Sequence, residues 1–429
     1  FRTLHSLCFF QLGLSKDSVM NGRDFNDLNQ KLNLRLTGSI SSDDGHVSGI
    51  SKDDRLMFIE NLARMRQISL ESQWHDSDDV VGWFELERFA NGLRLFKNDR
   101  LLIDYTDMLQ LFLDRGRAPK LDVMFVDEAQ DLSPLQWAVV RKLCESADRI
   151  YIAGDDDQAI YRWAGADVDY LIRNSKDAMV LKQSYRIPKS IHTLAERCIG
   201  QVASRVQKTW NPRKEAGHVS WEKSYESIDM ESGDWLVLAR TNYLLNGIEE
   251  HCRSEGWFYK TKNRNSVSEK KVKAVRDWET LRKGGEILLV DLIKVLNYMR
   301  VSVPTSLERN DFDSNISFEE AQSYLPDLKQ EYWYDLFDGI SVSERSYIRA
   351  MLRRGEKITK EPRIKLSTIH AAKGGEAENV ILLTDISNRI YKSYQANPDD
   401  ESRVFYVGLT RAKQNLFLIE PQTQKYFQI

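Results

Sequence analysis

Two adjacent carboxylates open the segment Asp127-Glu128-Ala129-Gln130-Asp131, and a short apolar run, Leu121-Asp-Val-Met-Phe-Val126, leads straight into them. Neighbouring acids at a strand end can divide the work of nucleotide hydrolysis. One helps to hold Mg²⁺, and the other orients and deprotonates the attacking water. The same residues would also suit a solvated turn or a helix start, where negative charge meets the helix dipole. A second cluster is Gly154-Asp-Asp-Asp-Gln158, followed by Ala-Ile-Tyr161-Arg-Trp163-Ala-Gly-Ala166. A Gln at a strand end can sense a terminal phosphate. Two aromatics two residues apart among small residues can form a platform on which bases stack, worth about 1–3 kcal/mol per base and indifferent to sequence. The alternative is that Tyr161 and Trp163 are core residues, the common fate of isolated aromatics. The flanking acids and glycines weigh against it.

The elements that must position these groups follow from periodicity. Leu121–Val126 and a second run, Arg149–Ala153, are short, apolar and closed by acids, as buried parallel strands with function at their carboxyl ends should be. Between them Ser133–Ala147 begins Ser-Pro and carries helical apolar spacing, which predicts a crossover helix. The pattern repeats: Met179–Lys182 leads as a strand into Gln183-Ser-Tyr-Arg186, and Pro188 opens a helix whose apolar face is Ile191, Leu194, Ala195, Cys198, Ile199 and Val202. Trp235–Ala239 predicts a further strand, with a helix after it to about Gly256. Ile364–Ile369, Val380–Thr384 and Leu416–Ile419 predict three more. Two α/β regions result, roughly 111–176 and 177–262 plus 363–429. Residues 10–110 form a mostly helical block with turn clusters near Gly38–Gly49 and His75–Asp79. A charged block over 263–362 is basic at first (Lys270, Lys271, Lys273, Arg276), then acidic and aromatic.

The length of 429 residues allows two to four domains, each with its own core. No stretch approaches the roughly 20 uninterrupted apolar residues that span a membrane. Residues Phe1 to Leu14 are apolar, yet they lack an initiating Met, a basic start and a cleavage site, so a signal peptide is rejected and a fragment is expected. Cys8, Cys144, Cys198 and Cys252 are far apart and form no metal-ligand spacing, which favours a reduced cytoplasmic setting. A net charge of −3 argues neither for nor against nucleic acid, because binding needs local rather than global charge.

Taken in order, DEAQD, GDDDQAIYRWAGA, QSYR, TIHAAKGGE and ESRVFYVGLTRAKQ resemble motifs II to VI of the UvrD/Rep-type superfamily 1A DNA helicases, and Thr3-Leu-His5-Ser6 is similar to their motif Ib. The resemblance implies an α/β fold of two RecA-like, P-loop NTPase-type domains with parallel sheets, plus mostly helical inserted domains. Residues 1–10 and 109–176 would be part of domain 1A, 11–108 insert 1B, 177–262 and 363–429 domain 2A, and 263–362 insert 2B, which is short for the family. The implied function is an ATP-dependent DNA helicase or translocase, moving 3′→5′ on single-stranded DNA and working at single-strand/duplex junctions in DNA repair or replication. The implied setting is the cytoplasm of a bacterial or phage-infected cell. ATP and Mg²⁺ are the implied cofactors. By the same resemblance Asp127 would serve the metal, Glu128 would activate water, and Gln158 would couple the γ-phosphate to the DNA-binding segment. Tyr185 would stack on adenine and Glu376 would contact the ribose. Arg186 and Arg411 would reach the γ-phosphate from the far domain, and His5, Tyr161, Trp163 and His370 would lie along the DNA. Ala164 stands where many relatives have arginine, which removes one basic contact.

No Walker A string of the GxxGxGK(S/T) type occurs in the 429 residues. Its backbone N–H groups and lysine would bind the β- and γ-phosphates, and its hydroxyl would hold Mg²⁺. The expectation is therefore that this polypeptide starts just after the loop and hydrolyses little ATP alone. A rival of a different class is a non-catalytic DNA-binding relic of such a helicase. The intact Glu128, Arg186 and Arg411 oppose it, since a relic has no use for them. No cluster of nuclease-like carboxylates follows Arg411.

Overall fold

Strands β1 (Leu121–Val126) and β2 (Ala147–Ile152) pair in parallel, Leu121 against Ala147 and Val126 against Ile152. A parallel pair needs a crossover, and helix Pro134–Cys144 provides it. Ser133 caps that helix: its hydroxyl accepts from the Gln136 N–H, and the Gln136 side chain returns to the Ser133 N–H. Leu135, Val139, Val140 and Leu143 bury its apolar face with Cys8, Met108, Leu109 and Phe112 from helices Leu4–Gln11 and Tyr105–Arg115. The opposite face of the β1–β2 pair is open, and Phe125 and Tyr151 stack on it with ring centroids 5.0 Å apart.

The computed structural model describes residues 2–37, 51–77, 81–262, 264–308, 312–356 and 360–429. The turn cluster expected near Gly38–Gly49, and Asp79 from the second cluster, lie outside them. Helices Gly22–Leu32, Lys52–Arg66, Leu70–His75 and Trp83–Arg100 build the expected helical block around Leu28, Leu56, Ile59, Leu86, Phe89 and Phe96. Asp104, the N-cap of helix Tyr105–Arg115, also accepts from Arg64 and Lys97. Burial alone would raise its carboxyl, but the two cations win and hold it well below the usual carboxylate range.

The second α/β region holds a six-stranded, all-parallel sheet. Its strands are β3 (His218–Glu222), β4 (Trp235–Ala239), β5 (Tyr259–Lys260), β8 (Ile364–Thr368), β9 (Ala377–Leu383) and β10 (Ala412–Ile419), in the order β3-β10-β9-β4-β8-β5. β6 (Ile287–Leu288) and β7 (Asn315–Ile316) form a separate antiparallel pair. Because side chains alternate along a strand, β4 feeds two cores. Leu236 and Leu238 join Val380, Leu382, Leu416 and helices Lys189–Ile199 and Pro398–Leu409. Trp235, Val237 and Ala239 join Leu366 and Ile381 on the other face. That second core runs without a break into the 263–362 block, through Trp278, Leu292, Phe337 and Ile348.

Several boundaries differ from expectation. Met179–Lys182 is not a strand: Met179 and Leu181 stand exposed, and only Gln183 bridges to Asn211. Its apolar run is too short to fill both faces of a sheet. β3, β5, β6 and β7 carried no clear signal, being two residues long or an edge strand of mixed polarity.

Phe405 and Phe427, both fully buried, stack with centroids 4.2 Å apart and tie the last residues to the sheet. Phe405→Ala is expected to cost about 3–5 kcal/mol in chemical denaturation. A loss under about 1 kcal/mol would mean that the contact does not belong to the core.

Candidate nucleotide and nucleic-acid site

Past the end of β1 the chain turns sharply, with Glu128 at φ 53°, ψ 40°, the left-handed region that a non-glycine residue rarely occupies. Such strain of about 1–3 kcal/mol persists where the surroundings over-determine it. Gln130, fully buried, is what does so. Its amide N–H donates to Glu128 Oε2 at 2.5 Å, and its Oε1 accepts from the Asp155 N–H at 2.9 Å. The ends of β1 and β2 are thus cross-linked by one side chain. A Cβ at Gly154 would lie 2.9 Å from Gln130 Oε1, which explains glycine there. Asp127 and the Glu128 side chain remain exposed; one oxygen of Asp127 accepts from the Glu128 N–H at 2.9 Å.

The three aspartates after Gly154 do different work. Asp155 Oδ2 accepts from Gln158 Nε2 at 2.6 Å. Asp156 and Asp157 are buried and reach across to residues 204–208 of the second α/β region. Arg205 donates two bonds to Asp157, at 2.8 and 2.6 Å, and Lys208 sits 2.5–3.0 Å from all three carboxylates. The fully buried Arg403 donates to the Asp156 carbonyl at 3.0 Å. Asp156 and Asp157 thereby form a clasp between the two regions.

On the other side of Gln158 lies a cleft. Its backbone oxygen accepts from Lys373 Nζ at 2.9 Å, and Lys373 also donates to Asp131 at 2.5 Å and stands over the Tyr161 ring. Burial pushes the Asp131 carboxyl up, with Lys373 opposing it. Lys373 escaped the sequence reading; its signal was a lysine beside Gly374-Gly375 at a strand end. Gln158 Oε1 accepts from Arg411 Nη2 at 3.1 Å. Arg411 is 1% exposed and otherwise donates to the carbonyls of Val407 and Gly375 and to the Thr410 hydroxyl. It meets no carboxylate at ion-pair distance among the described residues. Burial, and then the neighbouring Arg186, push its pKa down to about 10. Arg186 lies 3.6 Å from Glu376, which Lys413 binds at 2.9 Å; the Lys413 hydrogen bond lowers the Glu376 carboxyl. Tyr185 beside it is 87% exposed.

The aromatic segment begins three residues after Gln158. The Tyr161 hydroxyl donates to the His370 carbonyl at 3.2 Å, and Trp163 stacks on Phe58 of helix Lys52–Arg66. His370 is 2% exposed, wedged in the turn after β8 beneath Tyr161, so in this conformation its ring does not line an open DNA path as expected. His5 sits apart from it, edge-on to the exposed Tyr105; burial lowers its pKa, partly offset by a hydrogen bond with the Tyr105 backbone. Glu128, Gln158 and Arg411 therefore lie near one another, joined through Lys373, with Arg186 and Glu376 beside Arg411 and Asp127 next to Glu128 in the turn.

Comparison with known proteins places the chain in a family. Residues 1–179 match the UvrD/REP helicase N-terminal domain, and 338–423 match the UvrD-like helicase C-terminal domain. A probable DNA helicase II homolog of Rickettsia conorii is 22% identical, over 97% of this chain and 82% of its own length. The ATP-dependent DNA helicase PcrA of Bacillus subtilis is 28% identical over 45% of this chain and 26% of its own. The ATP-dependent DNA helicase srs2 of Schizosaccharomyces pombe is 24% identical over 85% of this chain and 53% of its own. Ordered motifs, paired α/β regions and matching N- and C-terminal domains lead to one conclusion: the chain belongs to the UvrD/Rep-type superfamily 1 DNA helicases.

Proposed function

We propose that this chain is the motor of an ATP-dependent DNA helicase that moves 3′→5′ along single-stranded DNA toward single-strand/duplex junctions. The observation that carries the reading is Arg411, a buried guanidinium with no carboxylate at ion-pair distance among the described residues, bonded to Gln158 and near Glu128. A buried cation without a direct ion pair is strongly stabilised by an incoming anion, and a γ-phosphate is such an anion. Arg186 adds a second cation at the same wall, and the exposed Tyr185 ring is free to stack on a base.

Glu128, held in its strained turn by Gln130, orients the attacking water and takes its proton. Asp127 is exposed and has one oxygen uncommitted, which fits a Mg²⁺ that keeps most of its waters; the ion would neutralise developing charge on the phosphates. Gln158 then couples chemistry to DNA, because its side chain reads Arg411 while the chain beyond it carries Tyr161 and Trp163. We assign 1–10 and 109–176 to domain 1A, 11–108 to insert 1B, 177–262 and 363–429 to domain 2A, and 263–362 to insert 2B. The separate cores of the first two assignments support them. Repair or replication in the cytoplasm fits such a motor.

Two measurements test this. Trp163→Ala should weaken oligo-dT binding by about 1–3 kcal/mol in fluorescence anisotropy, and binding should fall with salt. Unchanged affinity in a folded variant would return Trp163 to the core. The second concerns turnover. The 429-residue polypeptide is expected to hydrolyse little ATP, because it contains no Walker A loop. Supplied with such a segment it should show DNA-stimulated hydrolysis, which Glu128→Gln abolishes while nucleotide still binds. Arg411→Ala should cut that turnover by about 10³-fold or more while sparing DNA affinity. Robust, Glu128-dependent turnover by the shorter polypeptide would overturn the account of the phosphate site.

A further inference from the structure

Helix Lys52–Arg66 belongs to the helical block, yet one row of its side chains serves the aromatic segment of the first α/β region. Phe58 and Leu62 are four residues apart and so lie one above the other on the helix. The Phe58 ring stacks against the Trp163 indole at 6.1 Å between centroids and 19° between planes. One turn on, a Cβ built at Gly165 would come within 2.9 Å of Leu62 Cδ1, and Gly165 has φ +95°. Glycine is needed there both for its conformation and for the close approach of the helix. Loop and helix are therefore fitted to each other at two successive turns.

What orients the indole is then decided by elimination. Its Nε1–H is buried and has no hydrogen-bond partner among the described residues. No polar contact pins the ring, so packing must, and the stacked neighbour is Phe58. Tyr161 differs: its hydroxyl is tied to the His370 carbonyl, and it needs no such support.

We propose that Phe58 is a positioning residue for single-stranded DNA binding: it holds the Trp163 indole in the orientation in which a base can stack on it, so the helical block sets the grip of the motor. This rests on the reading of Trp163 as a stacking residue. The grip then depends on how the helical block sits against the first α/β region, since Phe58 and Trp163 lie on different sides of that junction.

The test is a double-mutant cycle on the full chain, with oligo-dT affinity and its salt dependence as readouts. Phe58→Ala and the milder Phe58→Leu are made alone and with Trp163→Ala, and Phe58→Tyr serves as the conservative variant. Thermal melts confirm that each variant is folded. An aromatic pair of this kind is worth roughly a two- to tenfold change in affinity, so Phe58→Ala should weaken binding by about that factor, and Phe58→Leu by less. The salt slope should stay unchanged, because no phosphate contact is lost. In the Trp163→Ala background the Phe58 effect should vanish, and Phe58→Tyr should restore parental affinity. If Trp163→Ala weakens binding but neither Phe58 variant does, the inference is wrong. It is equally wrong if Phe58→Ala weakens binding by the same factor with and without Trp163. If Trp163→Ala itself changes nothing, the stacking reading of Trp163 has failed first, and this inference falls with it.

Discussion

The arrangement turns on a guanidinium that the protein buries without a carboxylate at ion-pair distance among the described residues. Arg411 donates to carbonyl oxygens, a hydroxyl and the Gln158 amide, so among the described residues its direct partners are dipoles, while Glu128 and Glu376 act on it only from beyond ion-pair distance. Taking a cation out of water on those terms is costly, and folding tolerates it only if the rest of the site is rigid. Helix Pro398–Leu409, buried along most of its length, supplies that rigidity, as does β9 beside it. The same guanidinium touches Gln158, and through Gln158 the two α/β regions share one hydrogen-bond network.

That network divides in two at Gln158. On one side Asp155, Asp156 and Asp157 are closed off by Arg205, Lys208 and Arg403, in contacts that leave little room for water. On the other, Lys373 and Arg411 cross a cleft that stays partly open, with Glu128 exposed at its edge. One side is closed by buried ion pairs and the other is held by single hydrogen bonds beside an exposed carboxylate. Gln158 bonds to both sides, through Asp155 on one and Lys373 and Arg411 on the other.

Much of this was legible in the residues, for identifiable reasons. Trp235–Ala239 came out with the same ends in sequence and structure, because a strand buried on both faces of a parallel sheet is apolar throughout and stops at a turn. Leu121–Val126 kept its expected ends but not the burial expected of it and of β2, since only one face of that two-stranded pair is packed by helices and Phe125 and Tyr151 stand exposed on the other. The helix after Ser133 was marked by its cap and by Pro134. Met179–Lys182 misled because three apolar residues in a row do not reveal whether a partner strand exists. Lys373, Phe58, Arg205 and Lys208 were invisible for another reason: their partners lie some 50 to 240 residues away, and no local spacing reports so distant a neighbour. His370 kept its motif place but not its accessibility, since burial is set by packing from both regions.

The open face of the β1–β2 pair has a consequence for what can be added to it. Phe125, Ile150, Tyr151 and Ile152 all stand exposed on two short strands, and neither strand has a further neighbour among the described residues. Unpaired edge amides beside greasy rings are a template for pairing with another molecule. A strand laid along that edge, from this polypeptide or another, would pair the amides and cover the rings in one step.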